Sequence, residues 1–89
     1  MPVIAMFYGI IVSMYFLDTK QHSEPHIHAR FGSDEVVVRI PDGQVLAGGI
    51  DARKMKLLLA WIELRQDELM ADWTLAVEGQ PVFKIEPLR

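Results

Sequence analysis

Apolar and polar residues alternate along one six-residue stretch, which is the pattern of a half-buried β-strand. His26, His28 and Arg30 recur at every second position, with Ile27 and Ala29 between them. Successive side chains of a strand point to opposite faces, so one face would carry two histidines and an arginine while the other enters a core. The pattern therefore predicts an amphipathic strand with a cationic, titratable face.

The stretch His26–Phe31 and the following run Glu35–Ile40 are predicted to form a β-hairpin. Gly32-Ser33 between them suits a two-residue turn that favours glycine in its first position. This turn sets a register in which four pairs of residues face each other: Arg30 with Glu35, Ala29 with Val36, His28 with Val37, and Ile27 with Val38. A slip of one residue would turn the apolar side chains to the wrong face, so the pattern specifies its own register.

Two strands are predicted before this hairpin. Val3–Phe7 is a short strand, and Tyr8-Gly9 is a bend that leads into the stronger strand Ile10–Leu17, which is rich in β-branched and aromatic residues. Both faces of Ile10–Leu17 are apolar apart from one serine, so we expect this strand inside the sheet. The polar stretch Asp18–Pro25 predicts a loop.

After the hairpin the pattern changes from strands to helices. Pro41-Asp42-Gly43 predicts a turn, and Gln44–Ala47 predicts a returning strand that ends at Gly48-Gly49. Asp51 is predicted to cap a first helix. The apolar side of that helix is predicted from residues at helical spacing, namely Met55, Leu58, Leu59 and Ile62.

A second helical pattern follows, with its apolar side at Leu69, Trp73, Ala76 and Val77 and with Gly79 just past its end. One helix bent near Gln66-Asp67 would also produce this pattern. We favour two helices, with Asp67 near the start of the second. Val82–Ile85 predicts a short terminal strand or an extended tail.

This order of elements predicts a single α+β domain over residues 1–89. Runs of strands followed by runs of helices are typical of a mostly antiparallel sheet, here of four to five short strands, with a helical pair packed on one face. The other face of the sheet would be half exposed to water. We expect it to form a binding face that carries His26, His28, Arg30, Glu35 and Arg39.

Composition narrows the classes of protein that fit this pattern. The 89 residues contain no cysteine, which excludes disulfides and cysteine-ligated metals. Half of the residues are hydrophobic (51%), so apolar surface is left over for a partner or a second copy. A formal net charge of −3 argues against broad, charge-driven binding of nucleic acid and suits a basic protein partner.

The uncharged stretch Val3–Leu17 does not predict a membrane span or a signal peptide. No Lys or Arg precedes it, Gly9 interrupts it, and it is shorter than the roughly 20 residues that cross a bilayer. No targeting signal is visible, so we expect a cytoplasmic location.

Several segments together resemble a small bacterial domain of unknown function, the family numbered 4160. They include Phe7-Tyr8-Gly9-Ile10, Met14-Tyr15-Phe16, Pro25-His26-Ile27-His28-Ala29, Trp61, the stretch from Asp67 to Trp73, and Phe83 to Leu88. The resemblance covers nearly the whole chain. It implies a partner of another small protein, encoded in gene pairs that resemble toxin–antitoxin modules. The family pattern has a shorter loop between Asp18 and Glu24 and no position that matches His22.

The histidines raise two kinds of chemistry. His26 and His28 could both bind one metal ion, with His22, Glu24 or Asp18 as a third ligand, but those loop residues have no fixed spacing to the pair. Alternatively, a histidine could move protons in RNA cleavage while Arg30 or Lys84 stabilises phosphoryl charge. The plainer interpretation is that both histidines are half-exposed strand residues, hydrogen-bonded to Glu35 or to a loop carbonyl.

We expect binding rather than catalysis, and no cofactor. The face with His26, His28, Arg30 and Arg39 could receive an acidic peptide, a phosphate or a short RNA. The favoured hypothesis is a protein partner encoded nearby, with a homodimer as an alternative. Trp61 is the candidate interface residue, since tryptophan is enriched in binding hot spots, whereas Trp73 lies on the apolar stripe and is predicted to be in the core.

Overall fold

Five antiparallel strands form one sheet, and two helices follow them in the chain. The computed structural model describes residues 2–15 and 24–89. The strands are β1 (Val3–Phe7), β2 (Ile10–Ser13), β3 (His26–Phe31), β4 (Asp34–Arg39) and β5 (Val45–Gly48), and they lie in the order β1-β2-β3-β4-β5. The helices are α1 (Ala52–Leu64) and α2 (Gln66–Val77). The predicted α+β architecture is confirmed.

The β3–β4 hairpin has the predicted register. Its pairs include Arg30 with Glu35 and His28 with Val37, and Gly32 in the turn has a φ of 63°. This left-handed conformation suits glycine because a Cβ would crowd the backbone. The alternating pattern and the glycine are local features, and together they specify the hairpin without help from tertiary contacts.

The core lies between one face of the sheet and the helices. The sheet contributes mainly aliphatic side chains, among them Val12, Ile27, Ala29, Val36 and Val38. Buried residues of the helices are Leu58, Trp61, Ile62, Leu69, Asp72 and Trp73. Trp73 in the core confirms the prediction made from its place on the apolar stripe.

Trp61 is not an interface residue, and that prediction is wrong. Its side chain is fully buried, its ring lies 5.1 Å from the Phe7 ring, and its indole N–H donates to the Glu86 carbonyl at 2.7 Å. The physical reason is helical geometry, because Trp61 follows Leu58 by three positions and shares its face. Leu59, which was predicted to face the core, is 38% exposed instead.

The ends of several elements differ from the prediction. The described part of β2 ends at Ser13, with Met14 and Tyr15 outside the strand, and positions 16 and 17 lie outside the described residues. Asp51 caps α1 as predicted, and its carboxylate accepts from the backbone of Arg53 and Lys54. The two helices are separate, as favoured, and Asp67 lies near the start of the second, in the first turn of α2, whose N-cap is Arg65. Within the described residues, neither helix combines the length and apolar character needed to cross a bilayer.

The last residues form an extended tail, which is one of the two predicted alternatives. We call residues 82–89 the C-terminal segment. The Ile85 N–H donates to the Ile4 carbonyl of β1 at 2.8 Å, and the Ile85 side chain is buried in the core. The Phe83 N–H donates to the Asp72 carboxylate of α2 at 3.0 Å. The segment thus joins the sheet and both helices.

Gly48 provides a test of the β4–β5 contact. It has a φ of 70°, and a Cβ added there would overlap the Glu35 carbonyl oxygen. We expect Gly48→Ala to lower the free energy of unfolding by at least about 2 kcal/mol. Gly49→Ala is the matched control, because nothing lies within 4 Å of its added Cβ, and we expect a change within about 0.5 kcal/mol. Equal denaturant midpoints for the two variants would contradict the described β4–β5 contact.

Asp72 makes stability depend on pH. Burial raises the pKa of its carboxyl above the ordinary 3.8, Glu68 adds to the rise, and the Phe83 N–H opposes it. The folded state therefore holds the Asp72 proton more tightly than the unfolded state does. The contribution of Asp72 to the free energy of unfolding falls as pH increases above about 4. Asp72→Asn keeps an acceptor for Phe83, and we expect it to be more stable than wild type at pH 7 but not at pH 3.5. Denaturant titrations at both pH values measure the difference; a variant less stable at pH 7 would contradict this account.

Candidate functional site

The sheet face opposite the aliphatic core, here called the open face, carries two cross-strand rows. In the outer row Met6 pairs with Ile11, Ile11 with Arg30, and Arg30 with Glu35. All four side chains are exposed, and Met6 is 64% accessible. The outer row therefore places two apolar side chains directly beside a cation and an anion.

The second row is more deeply set. Ser13 pairs with His28 and His28 with Val37, and Ser13 and Val37 are almost fully buried. A depression of about 180 Å³ lies over this part of the open face. It is lined by Val3, Ile11, Ser13, Tyr15, His28, Arg30 and Glu35. We call it the His28 depression.

His28 lies between an aromatic ring and a carboxylate. Its ring meets the Tyr15 ring edge-on, with 4.4 Å between centroids, and its Nδ1 lies 3.5 Å from Oε2 of Glu35. A carboxylate beside one imidazole nitrogen orients the ring, because an N–H on that nitrogen can donate to it. This cluster combines polar groups with apolar walls.

His26 does not belong to the exposed surface, so its prediction as a half-exposed binding residue is wrong. It is fully buried, its ring lies 5.1 Å from the Trp73 ring, and its Nδ1 donates to the Glu24 carbonyl at 2.7 Å. Strand alternation correctly placed His26 on the same side of the sheet as His28, and the two ring centroids lie 5.4 Å apart. At the first residue of β3, however, the ring packs against α2 instead of meeting solvent.

Arg39 is occupied by intramolecular contacts. Its Nε donates to both carboxylate oxygens of Asp42, at 3.0 and 3.1 Å, and a terminal nitrogen contacts Glu24 at 3.3 Å. The bond to Asp42 raises the pKa of the guanidinium and lowers the pKa of the Asp42 carboxyl. Arg39 therefore stabilises the turn after β4. Of the predicted cationic face, Arg30 and His28 remain.

Of the residues proposed as metal ligands, His26 and His28 lie close together, with 5.4 Å between their ring centroids, but the described part of the chain places no third ligand beside them. Residues 2–15 and 24–89 contain no group of three histidines or carboxylates placed to hold a metal ion. Glu24 pairs with Arg39. His22 and Asp18 lie outside the described residues. Lys84, proposed to stabilise phosphoryl charge, lines a groove beside β1 and not the His28 depression.

Comparison with known proteins identifies the family. A family model, described as a domain of unknown function (DUF4160), matches residues 9–74. The chain belongs to this family. The matched range contains β2 to β5 and α1, and with them Tyr15, His28, Arg30 and Glu35, whereas β1 and the C-terminal segment lie outside it. No curated protein and no solved structure matches the chain.

Sequence reasoning named Glu35 as a possible hydrogen-bond partner of the histidines, and Glu35 does lie beside His28, but it did not pair Tyr15 with His28. Tyr15 follows β2 beyond its last strand residue, so strand pairing gave no reason to place it beside His28. Glu35 is the diagonal neighbour, two positions from Val37, the residue directly opposite His28. Diagonal pairs across antiparallel strands are within reach of long side chains, which explains how the Glu35 carboxylate reaches His28.

Replacing the two predicted face residues separately distinguishes their roles. We expect His26→Ala to lower the free energy of unfolding by about 2 kcal/mol or more, because it removes a buried ring and a hydrogen bond. Arg30→Ala, on the exposed part of the same strand, should change it by no more than about 0.5 kcal/mol. Chemical denaturation measures both values. A neutral His26→Ala would mean that this ring is not a part of the core.

Proposed function

We propose that this protein is a binding component of a two-gene, toxin–antitoxin-like module and that its open face contacts the protein partner. The observation that carries the proposal is the outer row, in which exposed apolar and charged side chains are adjacent. Protein interfaces typically combine a dry apolar centre with a polar rim that includes arginine. The net charge of −3 is complementary to a basic partner.

The apolar part of the row is contiguous. Met6 and Ile11 are direct cross-strand partners, and they are 64% and 38% exposed. Val3, 36% exposed, lines the His28 depression together with Ile11. Single exposed apolar residues are ordinary, but a continuous patch suits a binding surface.

The charged part of the outer row can orient a bound partner. Arg30 stands between Ile11 and Glu35 in the register, so a partner that covers the apolar patch meets both a cation and an anion. Charges at the edge of an interface contribute mainly to orientation and to the association rate. A basic side chain of the partner would pair with Glu35, and an acidic one with Arg30.

A matched pair of variants tests the open face. We expect Met6→Glu to weaken binding to the product of the adjacent gene by tenfold or more, because it places a charge in the apolar patch. Leu64→Glu is the control, since Leu64 on α1 is 66% exposed and Met6 64%. Co-purification followed by calorimetric titration measures the two affinities.

Two results would contradict the binding proposal. One is failure of the wild-type protein to associate with the adjacent gene product at micromolar concentration. The other is equal weakening by Met6→Glu and Leu64→Glu, which would remove the open face as the contact surface.

A second candidate function is histidine-dependent RNA cleavage. The observation that favours it is the Glu35 carboxylate 3.5 Å from Nδ1 of His28, because an oriented imidazole is suited to general acid–base chemistry. Arg30 lines the same depression and could stabilise phosphoryl charge. These groups would act together on an RNA strand laid across the open face.

RNA cleavage would depend on this pair of side chains. If it occurs, His28→Gln should reduce the rate by about 100-fold or more, and Glu35→Gln should reduce it less, while both variants remain folded. Glu78→Gln, a change at the exposed end of α2, should retain the wild-type rate. Cleavage of a labelled RNA by purified protein gives the rates. Activity that survives His28→Gln would exclude this mechanism.

A further inference from the structure

The C-terminal segment is held through its main chain. Asp72 accepts from the Phe83 N–H at 3.0 Å, and the Ile4 carbonyl accepts from the Ile85 N–H at 2.8 Å. The Trp61 indole N–H donates to the carbonyl of the residue after Ile85 at 2.7 Å. The three holding groups come from α2, β1 and α1. All three bonds recognise an extended backbone and would form with many sequences.

Apolar side chains of the segment add selectivity. Ile85 is 6% exposed and belongs to the core, Val82 and Leu88 pack against the core while partly buried, and Phe83 is 72% exposed. Main-chain hydrogen bonds combined with pockets for particular side chains are the way in which proteins bind extended peptides at a sheet edge. The segment therefore sits as a peptide ligand would, except that it is covalently attached.

The receiving surface requires an occupant. The Trp61 side chain is fully buried and Asp72 is 3% exposed, so both lose a needed hydrogen bond if the segment leaves. β1 is an edge strand, and its sequence VIAMF contains none of the charged or proline residues that usually protect an edge. A groove of about 310 Å³ is lined by β1 on one side and by Lys84–Pro87 on the other.

We propose that this surface, formed by Ile4, Trp61 and Asp72, is a peptide-binding site that accepts the C-terminal segment of a second copy, by reciprocal exchange, whenever the chain's own segment leaves it. The second copy's segment has the same sequence, so it meets every contact that the chain's own segment makes. A mutual exchange repeats those contacts twice and closes a symmetric dimer.

The connection between α2 and the segment is suited to such an exchange. It consists of Glu78, Gly79, Gln80 and Pro81, and Gly79 has a φ of 74°. The Gln80 N–H donates to the Leu75 carbonyl at 2.8 Å, which ends the helix and directs the chain back toward β1. A different direction at these residues sends the segment to a neighbouring molecule. The site lies at the edge of β1, and the proposal does not depend on the open face.

A synthetic peptide of residues 80–89 tests whether the site binds in trans. It is added to the full chain carrying Ile85→Asp, whose own segment no longer fits the pocket. We expect one-to-one binding and a shift of the Trp61 indole N–H resonance to its wild-type position. A chain carrying Phe83→Asp is the matched control, because Phe83 is exposed. Its own segment stays in place, so the peptide should bind at least tenfold more weakly.

Each outcome of the peptide experiment decides the question. If the chain with Ile85→Asp is folded and does not bind the peptide, or binds a peptide with Ile85→Asp equally well, the site is not a peptide-binding site. If that chain is unfolded alone, only the wild-type peptide should restore its circular dichroism spectrum. Failure to restore it would also overturn the proposal.

A shortened connection tests the exchange itself. Deleting Gly79 and Gln80 removes the turn that directs the chain back toward β1 and shortens the connection by up to about 7 Å, so we expect the segment not to reach its own β1. We expect this variant to be a dimer by light scattering at concentrations where the wild-type chain is monomeric. A folded monomer, or a dimer that persists when Ile85→Asp is added to the deletion, would overturn the exchange.

Discussion

The register of the β3–β4 hairpin is the constraint on which the rest of the structure depends. The turn at Gly32 aligns Arg30 with Glu35 and His28 with Val37, and the same alignment sends Ile27 and Ala29 into the core. A one-residue slip would exchange the two faces of β3. It would place an arginine beneath the helices and remove Ile27 and Ala29 from the core. The open face and the core are therefore two consequences of one pairing.

Burial changes steadily along the open face, and this change decides what the face can do. The outer row is exposed, His28 is half-buried, and His26 is fully buried against Trp73. Among the described residues of this face, the outer row and the His28 depression are the parts that can meet a ligand. Arg39, held by Asp42 and Glu24, stabilises the buried end of the sheet and leaves Arg30 as the cation of the face.

The elements that follow from local physics could be predicted from the sequence, and those that depend on how elements pack could not. The hairpin register and the Asp51 cap follow from alternation and turn chemistry over a few residues. The burial of His26 depends on where α2 lies. In α1, both Leu59 and Trp61 neighbour the Leu58/Ile62 side, and packing decides that Trp61, in contact with Phe7, is buried and Leu59 is exposed. The Tyr15–His28 contact joins the end of β2 to β3, and no sequence pattern indicates it. Family membership gives no chemistry to add, since the matching family is a domain of unknown function.

The account is tested most directly by nuclear magnetic resonance contacts across β3 and β4. Pairs that do not exchange hydrogen bonds in an antiparallel ladder have their Cα atoms only about 4.5 Å apart, so their Hα protons give strong contacts. The two-residue turn makes Arg30 with Glu35, and His28 with Val37, pairs of this kind. We predict strong Hα–Hα contacts for both. Contacts shifted by one residue, from His28 to Val36 or Val38, would contradict the open face and every function proposed for it.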